Sequence, residues 1–385
     1  MTVARPDSTG AHRMAHTFAL AFRAAGFRVG MVFGRILEPA NLPQSARQMM
    51  AELAEHGVST WYEHGFATNW SPQLVRLLAD RAREQAADAL VAFNQRDRKF
   101  AIWAGAQAGL PTIVSVQNQH TFHGLPIVKQ VKAALYARVI RKARLLVCTS
   151  NVVQDEMVGR FGAARERTTV LPNGINPAKF GPAATREGRL WSQWGVGPDE
   201  LVAANLGRLD RQKGQDLLLE AFARVAGRIP RLKLGLIGSA SGLGAEFERN
   251  LRARVQSQGL SDRVVFTGWR DDTPRLLAEA DLYIHSARWE GPPGGLALLE
   301  AMASHLPVAY TDCSGPLPGF EEGRHGWLVR NADVADMARA LEQLASLEPA
   351  RRAELGRECR RLVEERYDAE QVIAPRFVEL TEGVL

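Results

Sequence analysis

Apolar and polar positions fall into two alternating patterns along the second half of the chain. Short unbroken apolar runs are bounded by Gly, Pro or polar residues: Leu201–Leu206, Leu232–Ile237, Val264–Thr267, Leu282–His285 and Pro307–Tyr310. Between and after them lie stretches with apolar residues three and four apart: Gln215–Arg228, Ala245–Gln258, Pro274–Ala280, Leu296–Ser304, Val334–Leu347 and Ala350–Arg366. The runs predict strands and the stretches predict helices. Apolar strands separated by helices predict a parallel sheet covered on both faces. In such a doubly wound domain the ligand sits beyond the C-terminal ends of the strands.

The first half repeats the pattern less cleanly. Arg28–Phe33, Ala89–Phe93, Thr112–Val116, Leu145–Thr149 and Thr169–Leu171 read as strands, with helical patterns at His16–Ala25 and Pro72–Gln85. Asn176–Asp199, with its Pro and Gly residues, reads as the inter-domain connection. A chain of 385 residues is long for one core. The expected fold class is therefore α/β, with two Rossmann-like doubly wound domains facing across a cleft. Residues 1–180 form the first domain, 181–366 the second, and a helix in 367–385 is expected to pack back on the first.

Composition narrows the classes. Cys148, Cys313 and Cys359 are scattered, which suggests neither a disulfide framework nor a thiolate zinc site. No apolar run is long enough to span a bilayer, and the first residues lack the charged-then-apolar pattern of a secretory signal. A cytoplasmic location is expected. The net charge of +6 is uneven: residues 1–175 carry 21 Lys and Arg against 12 Asp and Glu. No acidic residue lies between Asp97 and Asp155, a stretch holding Arg98, Lys99, Lys129, Lys132, Arg138, Arg141, Lys142 and Arg144. This asymmetry points to an anionic partner for the first half.

Two segments carry the chemistry. In Asn205-Leu-Gly-Arg-Leu-Asp-Arg-Gln-Lys-Gly a strand ends, Gly207 lets the backbone turn, and Arg208 and Lys213 flank a loop that opens a helix. Two cations beside a helix N-terminus suit a diphosphate, with the Arg fork and the Lys point charge supplementing free N–H groups. The bland alternative is a pair of solvated cations. No Gly-x4-Gly-Lys-Ser/Thr phosphate loop occurs in the chain. The second segment runs from Ser286 through Glu290, Pro292-Pro-Gly294-Gly295-Leu296 and on to Glu300. A carboxylate on the first turns of a helix can accept both hydroxyls of a ribose, and amides at Gly294, Gly295 and Leu296 can face a phosphate or sugar oxygen. Alternatively, Glu300 only favours the helix N-terminus and the glycines only make a turn.

The ordered set Asn173-Gly174-Ile175, Gly207-Arg208-Leu209 with Lys213-Gly214, Gly268, Asp281-Leu282-Tyr283, and Glu290-Gly291 with Glu300-Ala301-Met302-Ala303 resembles glycosyltransferase family 4. These are retaining enzymes of the GT-B fold. The likeness runs from about Arg144 to the end and is weaker before it. It implies a nucleoside-diphosphate sugar as co-substrate and a glycan, lipid-linked or lipopolysaccharide-type acceptor, with no metal and no cofactor. By this resemblance Arg208 and Lys213 hold the donor diphosphate and assist its departure, and Glu300 holds the donor ribose. Gly268, Gly294, Gly295 and Leu296 line the donor, and Glu290 lies near the transferred sugar. The family often carries a His after the strand corresponding to Thr112–Val116. Gln117 occupies roughly that slot, with His120 and His123 nearby. His120 is the expected catalytic member, and Gln117, His123, Gly10 and Arg13 lie on the acceptor side. The sequence departs from the family in three places. Nine residues separate Glu290 from Glu300 where seven are usual, His305 stands where the family has Gly, and only Thr2-Val3-Ala4 remains for the first strand. The last departure implies a short strand or a misassigned start.

Two rivals stay open: a nucleotide-sugar epimerase of the same fold, and a catalytically silent paralogue acting as a scaffold in glycan assembly. Nucleic acid is disfavoured, since the basic stretch lacks interleaved aromatics. A helix over Leu135–Arg144 would gather Leu135, Tyr136, Val139 and Ile140 on one side and basic residues on the other. A solvated face is one reading. The other is peripheral attachment of 129–144 to an anionic membrane, on its inner face.

Overall fold

The computed structural model describes residues 1–3, 10–34, 44–66, 68, 70–93, 95–120, 122, 124–182, 190–240 and 244–385. The chain divides into two compact units. Unit 1 is Met1–Gly174 with Ala369–Leu385, and unit 2 is Ile175–Asp368.

Among the described residues, unit 1 holds seven parallel strands: β1 (Thr2–Val3), β2 (Gly30–Gly34), β3 (Ser59–Glu63), β4 (Leu90–Ala92), β5 (Thr112–Val116), β6 (Leu145–Cys148) and β7 (Thr168–Val170). Their order is β3-β2-β1-β4-β5-β6-β7. Helices α1 (Gly10–Ala24), α2 (Gln44–Glu55), α3 (Pro72–Glu84), α4 (Arg98–Ala108), α5 (Pro126–Ile140) and α6 (Asn151–Asp155) alternate with them. Unit 2 has six: β8 (Leu201–Leu206), β9 (Leu232–Ile237), β10 (Val264–Gly268), β11 (Leu282–His285), β12 (Val308–Thr311) and β13 (Gly326–Val329), ordered β10-β9-β8-β11-β12-β13 and all parallel. Its helices are α7 (Gln215–Ala226), α8 (Ala245–Ser257), α9 (Thr273–Ala278), α10 (Gly295–Ala303), α11 (Val334–Ser346) and α12 (Pro349–Arg366); α13 (Ala374–Glu382) belongs to unit 1. In both sheets the order reverses beside the first strand, between β1 and β4 and between β8 and β11. That switch point is where the loops splay apart and leave room for a ligand.

The central strands are largely apolar because both faces are covered. Along β8, Val202 and Ala204 pack with α10 and α12, while Leu201 and Ala203 pack with α7 and α11. The period of two thus serves two cores rather than a core and a solvent face. In unit 1, Val91 and Ile113 join α1 and α13, while Val114 and Val116 face α5. The Phe18 and Phe377 rings stack at 4.1 Å, which ties the end of the chain to α1.

Three stretches differ from the sequence reading. Residues 176–182 and 190–199 belong to unit 2 instead of bridging the units: Trp191 is fully buried, its indole N–H donates to the Leu276 carbonyl at 3.0 Å, and it fills the space a side chain at Gly235 would take. The helix placed at Leu135–Arg144 begins at Pro126, where a proline is tolerated in the first turn, and ends at Ile140. Tyr136 and Ile140 are then buried against Val116, Leu146 and Phe161, so they offer no apolar face to the outside. β3, β13, α2 and α4 had no clear periodic signal; β3 and β13 are edge strands with mixed exposure, β3 diluted by polar residues and β13 only four residues long. Among the described residues no helix is long and apolar enough to cross a membrane.

Candidate functional site

The two loops singled out in unit 2 follow β8 and β11, the neighbouring strands of the switch point. The fold therefore brings them together, and side chains lace them. Asn205 donates to the Ile284 carbonyl at 2.7 Å, and the Ser286 hydroxyl donates to the Lys213 carbonyl at 2.8 Å. The Arg288 amide donates to the Gln212 carbonyl at 2.8 Å, and Gln212 donates back to the Trp289 carbonyl at 3.1 Å. Arg288 also forks onto Asp216 with two bonds of 2.7 Å. Gly214, at φ +67°, makes the close approach possible: a Cβ there would lie 2.1 Å from the Ser286 carbonyl oxygen.

The two helix N-termini of the site differ in charge. Asp216 sits in the first turn of α7, where it accepts amide bonds and pairs with Arg288. Burial pushes its carboxyl up, but Arg288 and these amides outweigh that and hold it below its ordinary value. That helix end is already answered by a carboxylate. α10 has no acidic residue in its first turn. The Gly295 amide donates to the Pro292 carbonyl at 3.2 Å, and the next two amides, of Leu296 and Ala297, have no acceptor within their own helix. No side chain of α10 itself answers that end, but the Glu290 carboxylate lies against it, 3.6 Å from where a Cβ on Gly295 would stand.

Lys213 turns its ammonium onto Glu290 as an ion pair, and His285 Nε2 lies 3.7 Å from the same carboxylate. Burial alone would raise the Glu290 carboxyl; Lys213 and His285 overcome it and bring it down to about 2. His285, fully buried on β11, is lowered by desolvation and stays neutral near pH 7. Glu290, the residue put at risk by the longer loop, thus points inward: Pro292–Gly295 folds as a turn, and the Glu290 carbonyl accepts from Ser314 at 2.6 Å. Glu300 is also buried, in the second turn of α10. Burial pushes the Tyr283 hydroxyl up, and the charges of Glu300 and Glu290 push it further. Arg208 is 57% exposed, held by Asp210 at 3.1 Å and Gln212 at 3.3 Å. Gly268 ends β10 at φ +71°, and its carbonyl accepts from the Gly238 amide.

Unit 1 places its residues separately. Gly10 opens α1, with Arg13 in the first turn. Gln117 is buried and occupied: it donates to the Ser115 hydroxyl at 2.7 Å and accepts from Asn173 at 2.8 Å, so it anchors the loop after β5. The His120 ring is packed among Phe122, Tyr136 and Phe161, with centroids at 4.3, 4.1 and 6.1 Å, and Nδ1 meets the Gln95 amide. Desolvation first, then Arg98, Arg160 and Lys99, lower its pKa to about 3. His120 is therefore neutral near pH 7. His123 and residues 8 and 9 lie outside the described residues.

Sequence reasoning missed Asn205, Asp216, Ser286 and His285. Their roles depend on the adjacency of β8 and β11, which no local pattern encodes. Only the Asp216 position, in the first turn of a predicted helix, carried a hint.

Comparison with known proteins is consistent along most of the chain. Residues 8–179 match the family described as Glycosyltransferase Family 4, and residues 191–361 match Glycosyl transferases group 1. The mannosylfructose-phosphate synthase of Agrobacterium fabrum is 30% identical over 52% of this chain and 44% of its own length. The lipopolysaccharide core biosynthesis glycosyltransferase LpsE of Rhizobium meliloti is 35% identical over 38% of this chain and 40% of its own. The chain spans about half the length of the curated relatives it matches. Among solved structures, HepE of Anabaena in complex with UDP superposes with a TM-score of 0.80 at 21% identity, covering 99% of this chain and 98% of that one. HepE has also been solved with UDP-glucose.

Proposed function

We propose, for a chain that belongs to glycosyltransferase family 4 and has its two Rossmann-like domains, that it moves a sugar from a nucleoside-diphosphate sugar to a glycan acceptor with retention of anomeric configuration. The observation that carries this reading is the meeting at the unit 2 switch point of two cations, Arg208 and Lys213, with the N-terminus of α10, where Lys213 and Gly295 both border the Glu290 carboxylate. Together they suit a diphosphate. In this reading Glu300 takes the ribose hydroxyls, with Gly268, Gly294, Gly295 and Leu296 around the donor. The likeness to HepE, solved with UDP and UDP-glucose, makes UDP the first nucleotide to test.

The chemistry follows from charge. As the glycosidic bond breaks, the diphosphate gains negative charge, so cations already in place favour the transition state over the bound donor. Arg208 and Lys213 supply this without a metal ion. Lys213 is paired with Glu290 before the donor arrives. The diphosphate therefore competes for Lys213, and Glu290 is released toward the transferred sugar as the donor seats. The acceptor side is assigned to Gly10, Arg13 and the loop Gln117–His123 of unit 1. His120, neutral and packed, shapes that loop rather than carrying a proton. The likeness to LpsE favours a lipopolysaccharide-type or lipid-linked acceptor.

The test is a thermal-shift panel with UDP, GDP, ADP and CMP, each with and without EDTA. A nucleotide at about a hundred times its dissociation constant stabilises its unit by roughly 2.7 kcal/mol. A shift with one diphosphate that survives EDTA, and that Arg208→Ala reduces, is the expected result. No shift with any of them, or one abolished by EDTA, refutes the site.

A further inference from the structure

The apolar surface of this chain is unevenly placed. Of the large hydrophobic side chains left exposed, Leu125, Ile127, Val128, Val131 and Leu135 all lie on or just before α5, at 71, 69, 39, 55 and 56% exposure. The others are scattered, and isolated exposed hydrophobics need no explanation, whereas a contiguous patch does. Residues 124–132 are exposed without interruption, and α5 touches the core only from Ala133 onward, through Tyr136, Ala137 and Ile140. The first two turns of α5 thus stand clear of the fold with aliphatic side chains. Ile127, Val131 and Leu135 recur every fourth residue and share one face.

The charges around this tip have one sign. Lys129, Lys132 and Arg138 are interspersed with it, and the chain has no acidic residue from Arg98 to Gln154. Lys142, one turn past the helix, covers the Trp103 ring at 4.2 Å. A protein partner usually meets aromatic and Arg anchors in a packed pocket. Branched aliphatics with lysines on a projecting helix end are instead what an interfacial segment presents to a bilayer: side chains that enter the acyl boundary and cations that meet headgroup phosphates.

We propose that the exposed end of α5, Leu125–Leu135, is a docking tip for an anionic lipid bilayer. It replaces the face expected at Leu135–Arg144, of which Tyr136 and Ile140 are committed to the core. The tip is joined to β5 by the Gln117–Gly124 loop, and His120 of that loop packs on Tyr136 of α5. Docking would therefore set the acceptor-side loop beside the surface from which a lipid-linked acceptor is drawn. The inference deepens that acceptor reading, but its test is independent of the donor test.

The experiment is co-sedimentation of the full chain with phosphatidylcholine vesicles and with phosphatidylcholine–phosphatidylglycerol vesicles, at low and high salt. The chain should bind the anionic vesicles, and salt should weaken binding. Val131→Asp should reduce it about tenfold, and Lys129→Gln or Lys132→Gln about fivefold each. All three positions are exposed, so the variants should keep the wild-type melting transition and nucleotide response. Equal binding to both vesicle types, or wild-type binding by Val131→Asp, overturns the proposal. So does self-association that Val131→Asp abolishes without any vesicle binding, which would make the tip a contact between copies of this chain.

Discussion

Lys213→Met removes one charge of the Lys213–Glu290 pair and keeps most of the aliphatic stem. Glu290 is buried, with its carboxyl held at about 2 against an ordinary 4.5. At about 1.4 kcal/mol per pH unit, the surroundings favour its anion by roughly 3 kcal/mol. Breaking one side of a buried pair costs about 3–5 kcal/mol in general, so Lys213→Met should destabilise unit 2 by about 3 kcal/mol at pH 7. The penalty has a defined pH dependence. A depressed carboxyl contributes its full stability above about pH 4.5 and loses it as pH falls toward 2. The difference between wild type and Lys213→Met should therefore shrink below pH 4.5. Lys213→Met with Glu290→Gln should recover most of the loss at pH 7, because no unpaired charge is left buried. The assay is urea unfolding followed by tryptophan fluorescence, with Trp191 fully buried in unit 2 as a reporter. A single-variant loss below about 0.5 kcal/mol, or a double variant equal to the sum of the singles, would refute the argument.

Other outcomes follow from the same geometry. His305 adopts φ +61° after the end of α10, a left-handed conformation that costs a non-glycine residue about 1 kcal/mol; His305→Gly should raise the unit 2 melting temperature by about 2 °C in calorimetry, with nucleotide binding unchanged. Gly214→Ala would drive a Cβ into the Ser286 carbonyl at 2.1 Å, so it should cost about 2 kcal/mol or more and weaken the nucleotide shift by parting the two loops. His120 titrates near 3 when folded and near 6.5 when unfolded. A depressed histidine stabilises fully above about pH 6.5 and loses that contribution as pH falls, so unit 1 should lose about 1 kcal/mol between pH 7 and 5, allowing for partial exposure. His120→Gln should flatten that dependence.

The doubly wound architecture of unit 2 was legible because its strands are apolar on both faces and its helices are long. Val202 and Leu201 belong to different cores, yet each keeps the run unbroken. The places of Arg208 and Lys213 between β8 and α7, and of Glu300 on α10, were legible because each lies in a strand–loop–helix pattern. What the pattern left hidden was mutual arrangement. That Lys213 rests on Glu290, or that Asp216 answers one helix end while Glu290 borders the other, follows from β8 lying beside β11. That adjacency is set by the whole sheet. Likewise, the helix read over Leu135–Arg144 was given either a solvated or a membrane-facing side, without its first turns. Only the length of helix left over after Tyr136 and Ile140 are docked shows which of its residues stay outside.

The composition of unit 1 bears on how the chain folds as it is made. Its first 174 residues leave the ribosome early, but α13, whose Phe377 stacks on Phe18, comes last. Unit 2 is continuous in sequence and can close by itself in between. At about 5–20 residues per second, the wait for roughly 200 residues is some 10–40 s. For that interval Phe18 and Phe22 of α1 have no partner from the end of the chain. The N-terminal unit should then be the last to finish, and a nascent chain halted before residue 369 should be the one that chaperones hold.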